Sequence, residues 1–156
     1  MTVWRLARRA FAKNGRQAYS GFGAAQRGAR WNSRGFAVAY ASDSPALALL
    51  EYLSHIDRTL LPTDLCYYAA EIPDGEVRTL VTLPAGWDAV PSTGASVRAG
   101  DAWLEARSSL ALKVPSAIVP RQYNVLINPL HDAFARIAYE RAIPHVVDAR
   151  LVEGFS

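Results

Sequence analysis

The order of hydrophobic patterns along this chain predicts an α+β fold with mainly antiparallel sheets. A strand-like stretch at 4–7 comes first, then a well-signalled helix at 44–55, then several short apolar runs, and that mixed order is the α+β signature. The later runs, at 66–73, 113–120 and 124–128, are bounded by proline, glycine or polar turns, as strands are. With 156 residues the chain suits one domain, taken as 1–156, large enough to bury a real core.

The helix is the best-marked element. Ser44 can accept from the free amides of its first turn, and Pro45 suits the first helical position, where no amide is needed. Ala46, Leu49, Leu50 and Leu53 recur at helical spacing and are expected to form the apolar face. Glu51 and His55 stand four apart and share a face with Leu47.

Upstream, Arg27, Arg30 and Arg34 lie among Gly21, Gly23, Gly28 and Gly35. Glycines let a backbone approach a ligand, and arginines present planar forks of donors for phosphate or carboxylate. The segment 21–26 half-resembles a dinucleotide fingerprint, but that motif needs a strand before it, and residues 14–20 read as polar loop. Phe36–Tyr40 reads as a strand with Phe36, Val38 and Tyr40 on one face.

The other elements follow in order. Trp4–Ala7 is a first strand, with Arg5 expected to turn toward the anion pocket that the arginine-bearing loop would form. Residues 66–73 form an alternating strand that includes Cys66, Asp74-Gly75 is a turn, and 77–80 is a short strand. From 84 to 100 the sequence is loop-like with a helical turn at 85–90, and Asp101 is expected to cap the helix that follows. Residues 113–120 and 124–128 make a hairpin around a turn at 120–123. A short helix is expected at 131–137, and a last strand at 144–152 with Val146 and Val147 buried.

Composition narrows the function classes. No run approaches the roughly 18 apolar residues of a membrane helix, and the basic N-terminus has no apolar segment of a signal peptide behind it. One cysteine cannot form an internal disulfide, and His55, His131 and His145 make no ligand pair, so neither a metal site nor a membrane is expected. The expected location is the cytoplasm. The net charge of +3 is modest, yet Arg5, Arg8, Arg9, Lys13, Arg16, Arg27, Arg30 and Arg34 all precede the first acidic residue. Such a stretch suits a phosphorylated ligand or an acidic partner.

The run Gly28-Ala29-Arg30-Trp31-Asn32-Ser33-Arg34-Gly35, a strand ending in tyrosine, then Ser44-Pro45-Ala46-Leu47-Ala48-Leu49-Leu50-Glu51, resembles the RES domain, named for an Arg, a Glu and a Ser. Here those residues are Arg30, Glu51 and Ser116. Val114–Pro120, Asn124–Pro129 and Asp148–Arg150 extend the likeness over nearly the whole chain; the Arg121-Gln122-Tyr123 turn departs from it, lacking an acidic residue. The resemblance implies a fold similar to ADP-ribosyltransferases of the diphtheria-toxin kind. It implies an enzyme that is the toxin of a toxin–antitoxin system and takes NAD as substrate, cleaving the nicotinamide–ribose bond by hydrolysis or phosphorolysis, with inorganic phosphate as a candidate co-substrate. It further implies a helical, DNA-binding antitoxin that covers the cleft.

On that footing Glu51 would stabilise charge on the ribose, Tyr40 would stack on nicotinamide and Arg30 would pair with the pyrophosphate. Ser116, His55, Arg5 and Asn124 are candidate substrate contacts. An ADP-ribosyltransferase acting on a protein would use the same residues. A more remote alternative, a basic nucleic-acid module using Trp4, Trp31 and Tyr40, fits poorly with the low charge and with Glu51; specific nucleic-acid binding is not expected.

Overall fold

A computed structural model describes residues 1–153. Among these residues eight strands form one sheet in the order β4-β5-β6-β2-β1-β3-β7, with β8 also paired to β3. They are β1 (Thr2–Arg8), β2 (Ala39–Ser42), β3 (Leu65–Glu71), β4 (Val77–Thr79), β5 (Ala111–Pro115), β6 (Tyr123–Ile127), β7 (Ala138–Tyr139) and β8 (Ile143–His145). Every pairing is antiparallel except β4 with β5. The α+β, antiparallel-dominated class expected from the sequence is the one observed.

The sheet is nearly two sheets. β1 meets β3 along its whole length, from Thr2 opposite Glu71 to Arg8 opposite Leu65, but it meets β2 only where Trp4 faces Ser42. One half is thus β4-β5-β6-β2 and the other β1-β3 with β7 and β8, joined by a narrow seam. Alternation along the strands feeds two cores. Val3, Ala41, Tyr68, Val125 and Ile127 pack on one face. Val38, Leu112, Val114 and Leu126 pack on the other, with Tyr40 against them and Trp31, Trp103 and Leu104 closing over. Among the described residues no helix is long and apolar enough to cross a membrane.

Among the described residues four α-helices lie around this sheet: α1 (Gly15–Ala18), α2 (Phe22–Arg27), α3 (Pro45–Ser54) and α4 (Ala95–Ala106). Ser44 caps α3 through the Leu47 amide, with Pro45 in the first turn, as expected. Its buried face is Leu47, Ala48 and Leu53; Leu50 is exposed. Because α3 lies on β1 and β2, the Leu47 face, the one that carries Glu51, turns inward.

Several expected boundaries are corrected. The stretch 14–20, read as polar loop, contains α1, capped by Asn14, and the glycine-rich segment after it contains α2, entered through Gly21 with a left-handed φ of 72°. β2 begins at Ala39 rather than Phe36, because the Asn32 amide donates to the carbonyls of Ala24, Ser33 and Phe36 and holds that chain in a turn. α4 starts at Ala95 behind Gly94, not at Asp101, whose carboxylate instead accepts from Ser33. The β5–β6 connection is 116–122, longer than the turn expected, and is closed by the Ser116 amide donating to the Gln122 carbonyl. The final strand stops at His145, opposite the first residue of β3, and Val146 beyond it is exposed.

Candidate active site

Glu51 is the centre of a cluster built from three elements. Its Oε1 accepts from Ser116 Oγ at 2.8 Å and from Asn124 Nδ2 at 2.5 Å. Ser116 follows β5 and Asn124 lies in β6, so α3 lays its carboxylate across the end of the β5–β6 hairpin. Ser116 is fully committed: its oxygen accepts from the amides of Ile118 and Val119, which leaves its one proton for Glu51. Asn124 in turn accepts at Oδ1 from Ser42 Oγ at 2.9 Å. No described residue donates to Glu51 Oε2.

Tyr40 lies on the same sheet face as Ser42 and Asn124, since Tyr40 faces Leu126 and Ser42 faces Asn124 across β2–β6. Its hydroxyl donates to Asn32 Oδ1 at 2.8 Å and accepts from the Trp31 amide at 3.0 Å. Burial pushes the phenol's pKa up, against the opposing effects of the Trp31 amide and the Arg30 charge. The hydroxyl therefore remains a donor, and it ties β2 to the Arg30 loop.

Arg30 sits in that loop, with Nη1 donating to the carbonyls of Trp87 at 2.8 Å and Ala89 at 3.1 Å. Trp87 stacks on Trp31, ring centres 6.1 Å apart. The loop is held by α4: Ser96 Oγ donates to the Arg30 carbonyl, Asp101 accepts from the Ser33 amide and hydroxyl, and Gly100 abuts the Trp31 carbonyl. Arg5 lies at the seam, where Nη1 donates to the Tyr40 carbonyl at 2.6 Å while Nε is buried without a partner. Burial lowers its pKa, with Tyr19 acting in the other direction.

The cluster thus joins Glu51, Ser116 and Asn124 directly, while Arg5 and the Arg30 loop are joined to Tyr40, which lies on the same sheet face as Asn124. His55 is set apart. It is exposed, and its Nδ1 donates to the Glu51 backbone carbonyl, not to the carboxylate. Ser116 and Asn124, read as candidate substrate contacts, both donate to Glu51: Ser116 with its one proton, Asn124 with one of its two amide protons. Two concavities, one of about 360 Å³ between Phe36 and Leu104 and one beside Phe134, contain none of these residues. The chemistry-bearing groups mark the site better than surface shape does. Sequence reasoning missed Ser42, since the strand was ended at Tyr40, although the same alternation reaches it two residues on. Missing the α4 contacts followed from reading 84–100 as loop.

The fold is thus an antiparallel-dominated sheet divided at a seam, with a carboxylate clamped beside it. The chain belongs to the RES domain family, whose model matches residues 2–148. It is 38% identical over 138 residues to the Prs ADP-ribosylating toxin of Sphingobium sp., covering 85% of this chain and 86% of that one. Toxin Res of Photorhabdus laumondii is 37% identical over 158 residues, with 99% of each chain covered, and toxin Res of Pseudomonas putida is 37% identical over 156 residues, covering 97% and 99%. In fold, it is similar to a chain of the M. tuberculosis MbcT–MbcA toxin–antitoxin complex. The TM-score is 0.70 at 16% identity, over 93% of this chain and 84% of that chain.

Proposed function

We propose that this protein is the toxin of a toxin–antitoxin system and acts by consuming NAD. The supporting observation is the clamped Glu51, one oxygen saturated by two donors and the other left for a ligand. Breaking the nicotinamide–ribose bond sends the bonding electrons to nicotinamide and leaves positive charge at the ribose carbon. A fixed carboxylate stabilises that charge and accepts from a ribose hydroxyl. Water or inorganic phosphate then adds at the same carbon and loses a proton, giving ADP-ribose or its 1-phosphate. Tyr40, fixed at its hydroxyl, offers its ring face to nicotinamide.

Purified protein incubated with NAD, with and without phosphate, tests this. Nicotinamide release is expected, and the accompanying sugar product separates hydrolysis from phosphorolysis. No nicotinamide under either condition would overturn the reading. Transfer of ADP-ribose to a protein is a second reading, favoured by the name of the Sphingobium relative; label from adenine-labelled NAD retained on protein would select it. The antitoxin partner is supported by the toxin names of the relatives and by the fold neighbour's complex.

Arg30 carries the pyrophosphate in this reading. Its Nη1 braces the Trp87 turn, while Nε and Nη2 have no described partner and present an edge for bidentate pairing. Arg30→Ala is expected to weaken NAD binding by roughly 10–100-fold, the equivalent of a charged hydrogen bond. Arg30→Lys should lose less, keeping the charge without the fork. Calorimetric titration in the Glu51→Gln background measures both; equal affinities would place Arg30 outside the site.

A further inference from the structure

We infer that Ser42 and Asn124 form a positioning relay that fixes the orientation of the Glu51 carboxylate. The inference rests on the proposed role of Glu51 in NAD cleavage and adds two residues that act through it.

An asparagine side chain can present either end. Opposite an ionised carboxylate, which only accepts, the amide is useful only with its nitrogen forward; flipped, its oxygen would face Oε1 and repel it. The carboxylate therefore sets which end faces it, and the amide still needs a second anchor to hold its position. Ser42 is the residue directly across the β2–β6 ladder from Asn124, and its hydroxyl lies 2.9 Å from Oδ1. Donating there, it anchors the amide oxygen and holds the side chain where Nδ2 reaches Glu51. Side chains at facing ladder positions are neighbours by construction, so strand register alone brings the two together.

The relay is built into the floor, not onto the surface. Ser42 is 3% exposed and makes no other described side-chain hydrogen bond, so its hydroxyl cannot serve substrate. It also stands at the single rung joining the two halves of the sheet, opposite Trp4, where the backbone is paired on both sides. Ser116 supplies the second donor to Oε1, fixed by two backbone amides. Two independent donors on one oxygen determine the plane in which Oε2 points outward. Asn124 is therefore a positioning residue and Ser42 positions Asn124.

Because Ser42 acts only through Asn124, their effects cannot add. Ser42→Ala is expected to lower kcat about fivefold and Asn124→Ala about thirtyfold, the scale of a neutral and a charge-assisted hydrogen bond, with KM within about twofold. Ser42→Thr, which keeps the hydroxyl, should restore most of the rate. Ser42→Ala in the Asn124→Ala background should cost nothing further. Thermal melts identify any variant whose loss comes from unfolding.

A readout independent of turnover is the carboxyl ¹³C resonance of Glu51 in labelled, ligand-free protein. It should move in Ser42→Ala, stay near wild type in Ser42→Thr, and be unaffected by Ser42→Ala once Asn124 is alanine. A Ser42→Ala variant that leaves this resonance unmoved overturns the relay, as does a Ser42 effect that persists without Asn124. Raised KM at constant kcat in Asn124→Ala would make Asn124 a substrate contact and overturn it too. If wild-type protein consumes no NAD, the proposed function falls while the resonance still decides the relay.

Discussion

Glu51→Gln is expected to remove nearly all NAD consumption while leaving the fold in place. The substitution is unusually clean here. Ser116 and Asn124 both donate to the same oxygen, Oε1, and the glutamine carbonyl can accept both in its stead. The amide nitrogen then occupies the place of Oε2, a donor where the ribose needs an acceptor and a neutral group where it needs charge. Loss of a preorganised electrostatic contact typically costs about 10²–10³ in rate. Circular dichroism and a melting curve should match wild type, because the network and the packing of α3 survive. A folded variant that kept more than about a tenth of wild-type turnover would remove Glu51 from the chemistry, whatever its hydrogen bonds.

The parts of this molecule that local chemistry dictates were legible in the sequence. Ser44 and Pro45 announce α3, but the apolar face read as Ala46, Leu49, Leu50 and Leu53 shares only Leu53 with the face that is buried. That face is Leu47, Ala48 and Leu53, with Leu47 one turn from Glu51. The strands 66–73 and 124–128 were readable because alternation and punctuation by proline or a turn coincide there. What failed has a shared cause, long-range partners that override local pattern. Glycines around Phe22 and Ser96 suggested loops, yet both segments are helices entered through a left-handed glycine. Asp101 looked like a cap, but its partner is Ser33, far away in sequence. Arg30, Tyr40, Glu51 and Ser116 were all singled out as site residues. That Ser116 and Asn124 clamp Glu51, and that Ser42 orients Asn124, depends on β-register, which no local pattern reveals.

Gly100→Ala is expected to destabilise the protein and weaken NAD binding together, because α4 and the Arg30 loop meet backbone to backbone at this residue. A Cβ there would lie 2.7 Å from the Trp31 carbonyl carbon and closer still to its oxygen. Neither side yields easily. Ser96 and Asp101 anchor the loop on each side of the contact, and Trp31 is buried against Trp103 and Leu104. Within the helix, alanine is favoured over glycine by up to about 1 kcal/mol. Overpacking against fixed backbone costs about 1–3 kcal/mol or more, and the upper end applies where no side chain can turn aside. A net loss of about 2 kcal/mol corresponds to a melting point lower by roughly 4–8 °C in a chain of this size. Displacing Trp31 also displaces Arg30, its neighbour, so NAD affinity should fall with stability. Gly23→Ala in α2 is the control: a Cβ there meets only the end of the Arg27 side chain, 3.7 Å away. Gly23→Ala should melt no lower than wild type and bind NAD equally well. If Gly100→Ala behaved the same way, the close approach of α4 would not be what holds the Arg30 loop.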